Sequence, residues 1–225
     1  MLVVMDEFWE HPDRVARFAG RDPDHRLVEL IGEYGDPGGT RVLDLGCAGG
    51  RNAVLLAERG FDVWALDAAS AMVARTRERV ARVLGRDEAR RRVVEGRMDD
   101  LGRWADGAFD LVVALGILHS AESGAEWARA ASEVARVLRP AGRLLFNQFT
   151  PEVDLTGEGV RPVPGEPDVY EGFPSGRVVL LDADELDRRW ATHGLVPAVP
   201  SQTVRVELEE GRRVSVNALY VRSES

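Results

Sequence analysis

A run of small residues and a carboxylate one strand later carry most of the chemistry visible in this chain. In VLDLGCAGGR, residues 42–51, an apolar stretch breaks at Gly46, Cys47, Ala48, Gly49 and Gly50, and a second apolar stretch, DVWALD, stops on Asp67. Gly46 can supply a tight turn at positive φ, and Gly49 and Gly50 let backbone approach a ligand with no Cβ in the way. A helix starting near Arg51 would point free N–H groups at whatever is bound. A carboxylate ending the second strand suits a bidentate hydrogen bond to a ribose diol. Each feature alone has a plainer reading, the turn as a simple strand-to-helix connection and Asp67 as a helix cap. Together they ask for a nucleoside, and two kinds compete: a dinucleotide and a sulfonium nucleoside.

Two further positions belong to the same set. Asp99, in EGRMDDLGRW, follows the next strand, where its carboxylate would face an adenine and accept from the exocyclic amine, with Met98 against the ring. The plainer reading has Asp99 and Asp100 cap a short helix before Leu101. His119 stands in ILHSAES, just past the fourth strand, and an imidazole suits proton transfer at neutral pH. It is the candidate catalytic residue for a hydroxyl acceptor, with Glu122 as a possible assistant; packing over the ligand is the alternative. His11, His25 and His193 read as helix-end or surface residues.

The elements that must hold these residues alternate. RVLDLG, DVWALD, RRVVEG, FDLVVALG and GRLLFNQF read as strands buried on both faces. Between them, RNAVLLAERG, SAMVARTRERVARVLG and EWARAASEVARVLRPAG read as helices, the second capped by Ser70 and stopped by Gly85, the third ending at Pro140. That alternation means a parallel sheet with right-handed crossovers and helices on both faces. Upstream, Asp13 and Asp22 are the expected N-caps of two helices within residues 1–40. Downstream, residues 150–181 are rich in Pro, Gly and acids and read as a structureless, lid-like loop. Asp182 and Glu185 form a capping box for a helix, and VPSQTVRVEL and RVSVNALYVR read as an antiparallel hairpin. The expected organisation is one domain over 1–225: a helical cap (1–40), a ligand-binding core (41–149), the lid-like loop (150–181), and a helix with the terminal hairpin (182–225).

Asp44, Gly46, Gly50, Asp67, Asp99 and the run FDLVVALGILH resemble the successive motifs of class I S-adenosylmethionine-dependent methyltransferases, and RVLRPAGRLLF is similar to the segment leading into that family's fifth strand. The resemblance implies an α/β, Rossmann-like, doubly wound sheet of seven strands, mostly parallel with an antiparallel C-terminal hairpin. It implies S-adenosyl-L-methionine as cofactor, S-adenosyl-L-homocysteine as product, and methyl transfer to a small molecule. Gly46, Cys47 and Ala48 would lie along the methionine part, with Asp44 beneath its amino group. Asp67 would hold the ribose, Asp99 and Met98 the adenine, and Leu115 and Gly116 would border the sulfonium. The family's commonest turn is G-C-G-x-G, so Ala48 departs from it, with the turn able to shift onto Gly49. Phe8, Trp9 and Phe18 could form an aromatic lid, and Asn147, Gln148, Tyr170 and Phe173 the acceptor's other walls.

Composition narrows the partners. The 225 residues carry a net charge of −9, which disfavours nucleic acid, and all 29 basic side chains are arginine, which removes lysine chemistry. One cysteine suits a reducing compartment, and no apolar run approaches the ~20 residues of a membrane span, so a cytoplasmic location is expected, as a monomer or a homodimer. The fourth and fifth strand ends, ALGILH and NQF, lack the carboxylates of a metal-assisted enzyme, so no metal is expected. Two rivals stay open: a non-catalytic protein that binds S-adenosylmethionine, and a nicotinamide-dependent oxidoreductase, against which Ala48, Asp99 and the hairpin argue.

Overall fold

The computed structural model describes residues 5–224. Three helices lead: α1 (Met5–Glu10), α2 (Pro12–Ala19) and α3 (His25–Ile31). The core follows as β1 (Arg41–Leu45), α4 (Arg51–Glu58), β2 (Asp62–Asp67), α5 (Ser70–Leu84), α6 (Arg86–Arg92), β3 (Val93–Glu95), β4 (Phe109–Leu115), α7 (Gly124–Val137) and β5 (Leu138–Phe149), with a 3-10 turn at Leu118–Ser120. Next come β6 (Arg161–Pro162), β7 (Val169–Phe173), β8 (Gly176–Val179), α8 (Ala183–Thr192), β9 (Leu195–Pro197), β10 (Gln202–Glu207) and β11 (Arg212–Arg222).

The main sheet runs β3-β2-β1-β4-β5-β11-β10, parallel through β5, with β11 antiparallel to β5. β9 adds an eighth strand without an eighth position: it pairs with residues 220–222 of β11 and β10 pairs with residues 212–217, end to end along one edge. Strand order reverses between β1 and β4, which opens a crevice at their carboxyl ends.

Strand alternation divides the core. Leu43, Val112 and Phe146 pack with Trp127 and Trp190 on one face of the sheet, while Val42, Leu111, Val113 and Leu145 pack with Leu27 and Leu56 on the other. Both faces are dry, as the continuous apolar strands require.

The helix boundaries differ from the sequence expectation where partners come from elsewhere. α3 is capped by Asp24 rather than Asp22; the Asp24 carboxylate accepts from the Arg26 N–H at 3.1 Å and is gripped by the Arg26 guanidinium at 2.8 and 2.9 Å. Asp22 precedes Pro23, which disfavours helical backbone there. α2 is capped by the His11 ring, which accepts from the Asp13 N–H, so Asp13 lies inside the first turn. Ser70 is the first residue of α5 and not its cap: Ser70 and Ala71 donate their N–H groups to the Glu10 carboxylate at 2.6 and 2.9 Å. α7 stops at Val137, and Pro140 lies in a bulged start of β5.

The largest departure lies in residues 150–181. The expected structureless loop is a three-stranded antiparallel sheet, β6-β7-β8, over a small core of Val153, Val178 and Leu180. Its apolar residues are few, and they pack beneath the sheet against Phe149, so the polar composition hid them.

Candidate active site

The turn after β1 is stitched to β2 by bonds within the chain. Gly46 and Cys47 donate their N–H groups to the Leu66 carbonyl at 2.8 and 3.0 Å. The Asp67 carboxylate accepts from the Ala48 N–H at 2.8 Å and from the Ala69 N–H at 3.0 Å. From α5, the Thr76 hydroxyl donates to the Ala48 carbonyl at 2.6 Å, and Arg79 donates to the Gly49 carbonyl at 2.6 Å. Ala48 itself takes a left-handed backbone, φ 45°, between Gly46 at 74° and Gly50 at 79°. The turn has not shifted onto Gly49, whose φ is not positive. Gly49 is required for a different reason: a Cβ there would strike the backbone of Ala19 at the end of α2. That glycine serves the docking of the N-terminal helices.

Above this turn lies one cleft, about 1180 Å³ of space between atoms with its open mouth included. The carboxyl ends of β1, β2, β3 and β4 all reach it. Of the residues expected to hold a cofactor, Asp44, Gly46, Cys47, Ala48, Asp67, Met98, Leu115 and Gly116 line it. Gly50 and Asp99 do not; Gly50 faces Thr76, and the Asp99 carboxylate is taken by Arg97 at 3.0 Å and Arg129 at 3.1 Å. Burial raises the Asp99 carboxyl, but the hydrogen bonds and charges of Arg129 and Arg97 outweigh it and hold the group low.

The acid that lines the cleft on this side is Glu126 of α7, which accepts from Arg97 at 2.6 Å and from the Glu122 N–H at 2.8 Å. Sequence reasoning missed it because nothing near it in the chain marks it. Gly96 and Arg97, which also line the cleft, sit beside Met98 and could have been named with it; so could Ala68 and Ala69, directly after Asp67. Arg51, Asn52, Met72, Ile117 and Ser120 complete the wall.

Two carboxylates give the floor its character. Asp44 is buried at the end of β1, and its Oδ2 has no hydrogen-bond partner. Burial pushes its carboxyl up to about 7, with Asp67 adding to the rise and Arg51 opposing it. Asp67 is also raised by burial, in spite of its two backbone donors. An unpaired, buried carboxylate oxygen invites a cationic donor, and an ammonium group of a bound ligand answers that need. Asp67 has lone pairs left for hydroxyls. The floor therefore fits a nucleoside that carries an amino acid.

The expected acceptor residues divide. Trp9 and Phe18 line the cleft, their rings 5.3 Å apart and edge to face; Phe8 meets Trp9 edge to face at 5.0 Å and does not line it. Asn147 lies outside, donating from Nδ2 to the Val216 carbonyl at 3.1 Å and to Asn217 at 2.7 Å. Gln148 is fully buried, accepting from the Trp127 indole N–H at 2.9 Å and donating to the Val179 carbonyl at 3.2 Å. Tyr170 and Phe173 pack in the small sheet.

His119 stands behind the cleft wall near Gly116, walled by Phe149 at 4.8 Å and Phe173 at 5.6 Å. Its Nδ1 has no partner, and burial lowers the ring to about 4, so it is neutral at pH 7.

Comparison with known proteins gives the same picture. Residues 43–146 match the family model described as a methyltransferase domain. No curated protein matches the chain in sequence. Among solved structures, a S-adenosylmethionine-dependent methyltransferase from Methanosarcina mazei is similar at TM-score 0.67 and 18% identity, covering 87% of this chain and 98% of that one. Magnesium protoporphyrin IX methyltransferase from Synechocystis PCC 6803, with bound S-adenosylhomocysteine, is similar at 0.66 and 20%, covering 97% and 98%. The 1,6-didemethyltoxoflavin-N1-methyltransferase of Burkholderia thailandensis, bound to 1,6-didemethyltoxoflavin and S-adenosylhomocysteine, is similar at 0.63 and 18%, covering 96% and 81%. The matched segment holds the stitched turn, Asp44 and Asp67, and the whole sheet carries the same fold as these enzymes: residues 43–146 of the chain form a methyltransferase domain.

Proposed function

We propose that the acceptor of this methyltransferase is a small molecule held between the cofactor floor and the N-terminal helices. The observation that carries this reading is that Trp9 and Phe18 line the same cleft as Gly46, Asp67 and Gly116. The two aromatic rings turn the carboxyl edge of the sheet into a pocket, whereas a protein or nucleic-acid acceptor needs an open face. The net charge of −9 disfavours a polyanion in the same direction.

Bound S-adenosylmethionine supplies an electrophilic methyl group on a sulfonium, transferred in line and leaving S-adenosylhomocysteine. The residues of this chain would divide the remaining work. Asp44 takes the ammonium of the methionine part, Asp67 the ribose hydroxyls, and Met98 packs on the base. Leu115 and Gly116 border the place of transfer, while Trp9 and Phe18 exclude water and hold the acceptor in line. His119 stands behind Gly116, outside the cleft lining and neutral, so it supports the wall at the place of transfer rather than taking a proton from the acceptor.

Calorimetric titration with S-adenosylmethionine, S-adenosylhomocysteine and NADH tests the floor. Micromolar binding of the sulfonium pair with none of NADH is expected; NADH binding alone would reverse the assignment. Transfer of labelled methyl to phenol, thiol and amine panels tests the acceptor class. His119→Phe keeps the aromatic packing and removes the nitrogen. It should leave turnover with phenols and thiols alike within about threefold; a loss of about 100-fold confined to phenols would make His119 the base.

A further inference from the structure

The mouth of the cleft gathers positive charge that the chain does not answer. Phe18, which lines the cleft, lies under two guanidinium groups: the Arg21 carbon is 4.2 Å from its ring centre and the Arg17 carbon 5.5 Å. Arg51 lines the wall beside it. Arg213, the second residue of β11, lies two residues before Ser215, whose partner Phe149 ends β5, so Arg213 stands at the carboxyl edge of the sheet with the cleft. Arg21 lies within reach of the other three charges. Arg21 is lowered first by partial burial and then by the charges of Arg17, Arg51 and Arg213, with no carboxylate acting in the other direction.

Many of the other arginines are neutralised, and those unpaired among the described residues, such as Arg59, Arg86 and Arg103, do not line or cover the cleft. Arg97, Arg129 and Arg136 each lie against carboxylates, and Arg136 is held by two. Among the described residues, Arg17, Arg21 and Arg213 have no such ion pair, in a chain with nine more acids than bases. Like charges held together over an aromatic ring repel unless an anion sits among them. Arginine is also the side chain suited to the task, since it stacks on rings and grips carboxylate, sulfonate or phosphate through paired donors.

We propose that the acceptor is an anionic aromatic small molecule, its charged group bound by Arg17, Arg21 and Arg213 and its ring laid against Phe18 and Trp9. This rests on the small-molecule reading above and narrows it. The arginine cluster would draw the acceptor in and set which end of it enters first, leaving the far end toward Leu115 and Gly116.

The test uses the full chain with and without saturating S-adenosylhomocysteine, titrated calorimetrically with naphthalene-2-sulfonate and with naphthalene-2-sulfonamide, its neutral counterpart. The sulfonate should bind at least ~10-fold tighter, and raised salt should shrink that margin. Arg21→Gln with Arg213→Gln, both exposed positions, should abolish the preference while S-adenosylhomocysteine affinity stays within about twofold. Equal binding of the two probes, no binding of the sulfonate, or a preference that survives the double variant would overturn the proposal. So would a double variant that loses S-adenosylhomocysteine, because the charges then serve the cofactor's own carboxylate. Failure of the wild-type chain to bind S-adenosylhomocysteine would instead count against the cofactor assignment, and the sulfonate arm without nucleoside would still decide this one.

Discussion

The cleft has two sides, and they are held by different kinds of contact. On the cofactor side the turn after β1 is tied to β2 and α5 by short, dense bonds: Gly46 and Cys47 to Leu66, Ala48 and Ala69 to Asp67, Thr76 to Ala48. On the acceptor side the contacts cross the chain. Glu10 reaches Ser70, 60 positions away, and Ala19 lies against Gly49. The first side is centred on β1, β2 and α5, neighbours along the chain that fix the turn themselves. The second is a set of separate pieces docked onto that unit, free to differ in sequence while the floor stays the same.

Removing Asp67 attacks the self-contained side where it is most concentrated. Asp67→Ala deletes the acceptor for two backbone N–H groups and the group assigned to the ribose. Each orphaned donor costs about 1–3 kcal/mol, so a fall in melting temperature should accompany a loss of S-adenosylhomocysteine affinity of about 100-fold or more. A variant that melts lower but binds within tenfold would assign the carboxylate to the turn alone.

The matching break away from the cofactor side is Gln148→Ala, in the buried core where β5, α7 and β8 meet. It leaves the buried Trp127 N–H and Val179 carbonyl without partners, at a cost of about 2–3 kcal/mol in a urea unfolding curve. If the cofactor side is self-contained, S-adenosylhomocysteine affinity should move less than about threefold. A parallel loss of affinity would show one cooperative unit and erase the distinction.

Those two variants also mark what the sequence could and could not reveal. The strands, the doubly wound order and the terminal hairpin were legible because apolar runs and turn residues are local signals. So were Asp44, the turn and Asp67, since all lie at the ends of such runs. Asp99 lies four residues past the end of β3 and outside the cleft, because Arg97 and Arg129 capture it and Arg129 comes from a distant helix. Glu126 was illegible for the same reason: its position depends on how α7 packs. The small sheet of β6, β7 and β8 was read as loop because its core is only a few residues deep.

Proton linkage sharpens the cofactor side further. Burial raises Asp44 to about 7, and pairing with a ligand ammonium would bring it down, so binding releases a proton. Affinity for S-adenosylhomocysteine should therefore rise about tenfold from pH 6 to pH 8 and flatten above that. The unliganded protein moves the opposite way. A carboxyl whose folded pKa is raised contributes stability at low pH that is lost as pH climbs through 7. Asp44→Asn should level both profiles, measured by calorimetry and by thermal unfolding across the same range. A pH-independent wild-type affinity would remove Asp44 from the ammonium site.

The smallest expected effect concerns Ala48, where this chain departs from the family's glycine. Its left-handed φ of 45° costs an alanine about 1–2 kcal/mol that a glycine avoids. Glycine in turn loses more freedom on folding, by about 0.5–1 kcal/mol, so Ala48→Gly should stabilise the chain by only about 1 kcal/mol or less. The backbone at Ala48 is fixed from both ends, by Asp67 on its N–H and Thr76 on its carbonyl, and neither bond involves the methyl group. Affinity for S-adenosylhomocysteine should then stay within about twofold, because the turn is already in its binding shape. A tenfold gain in affinity would mean that the methyl group intrudes on the ligand, and that the cofactor side, for all its internal bonds, is not fully formed in advance.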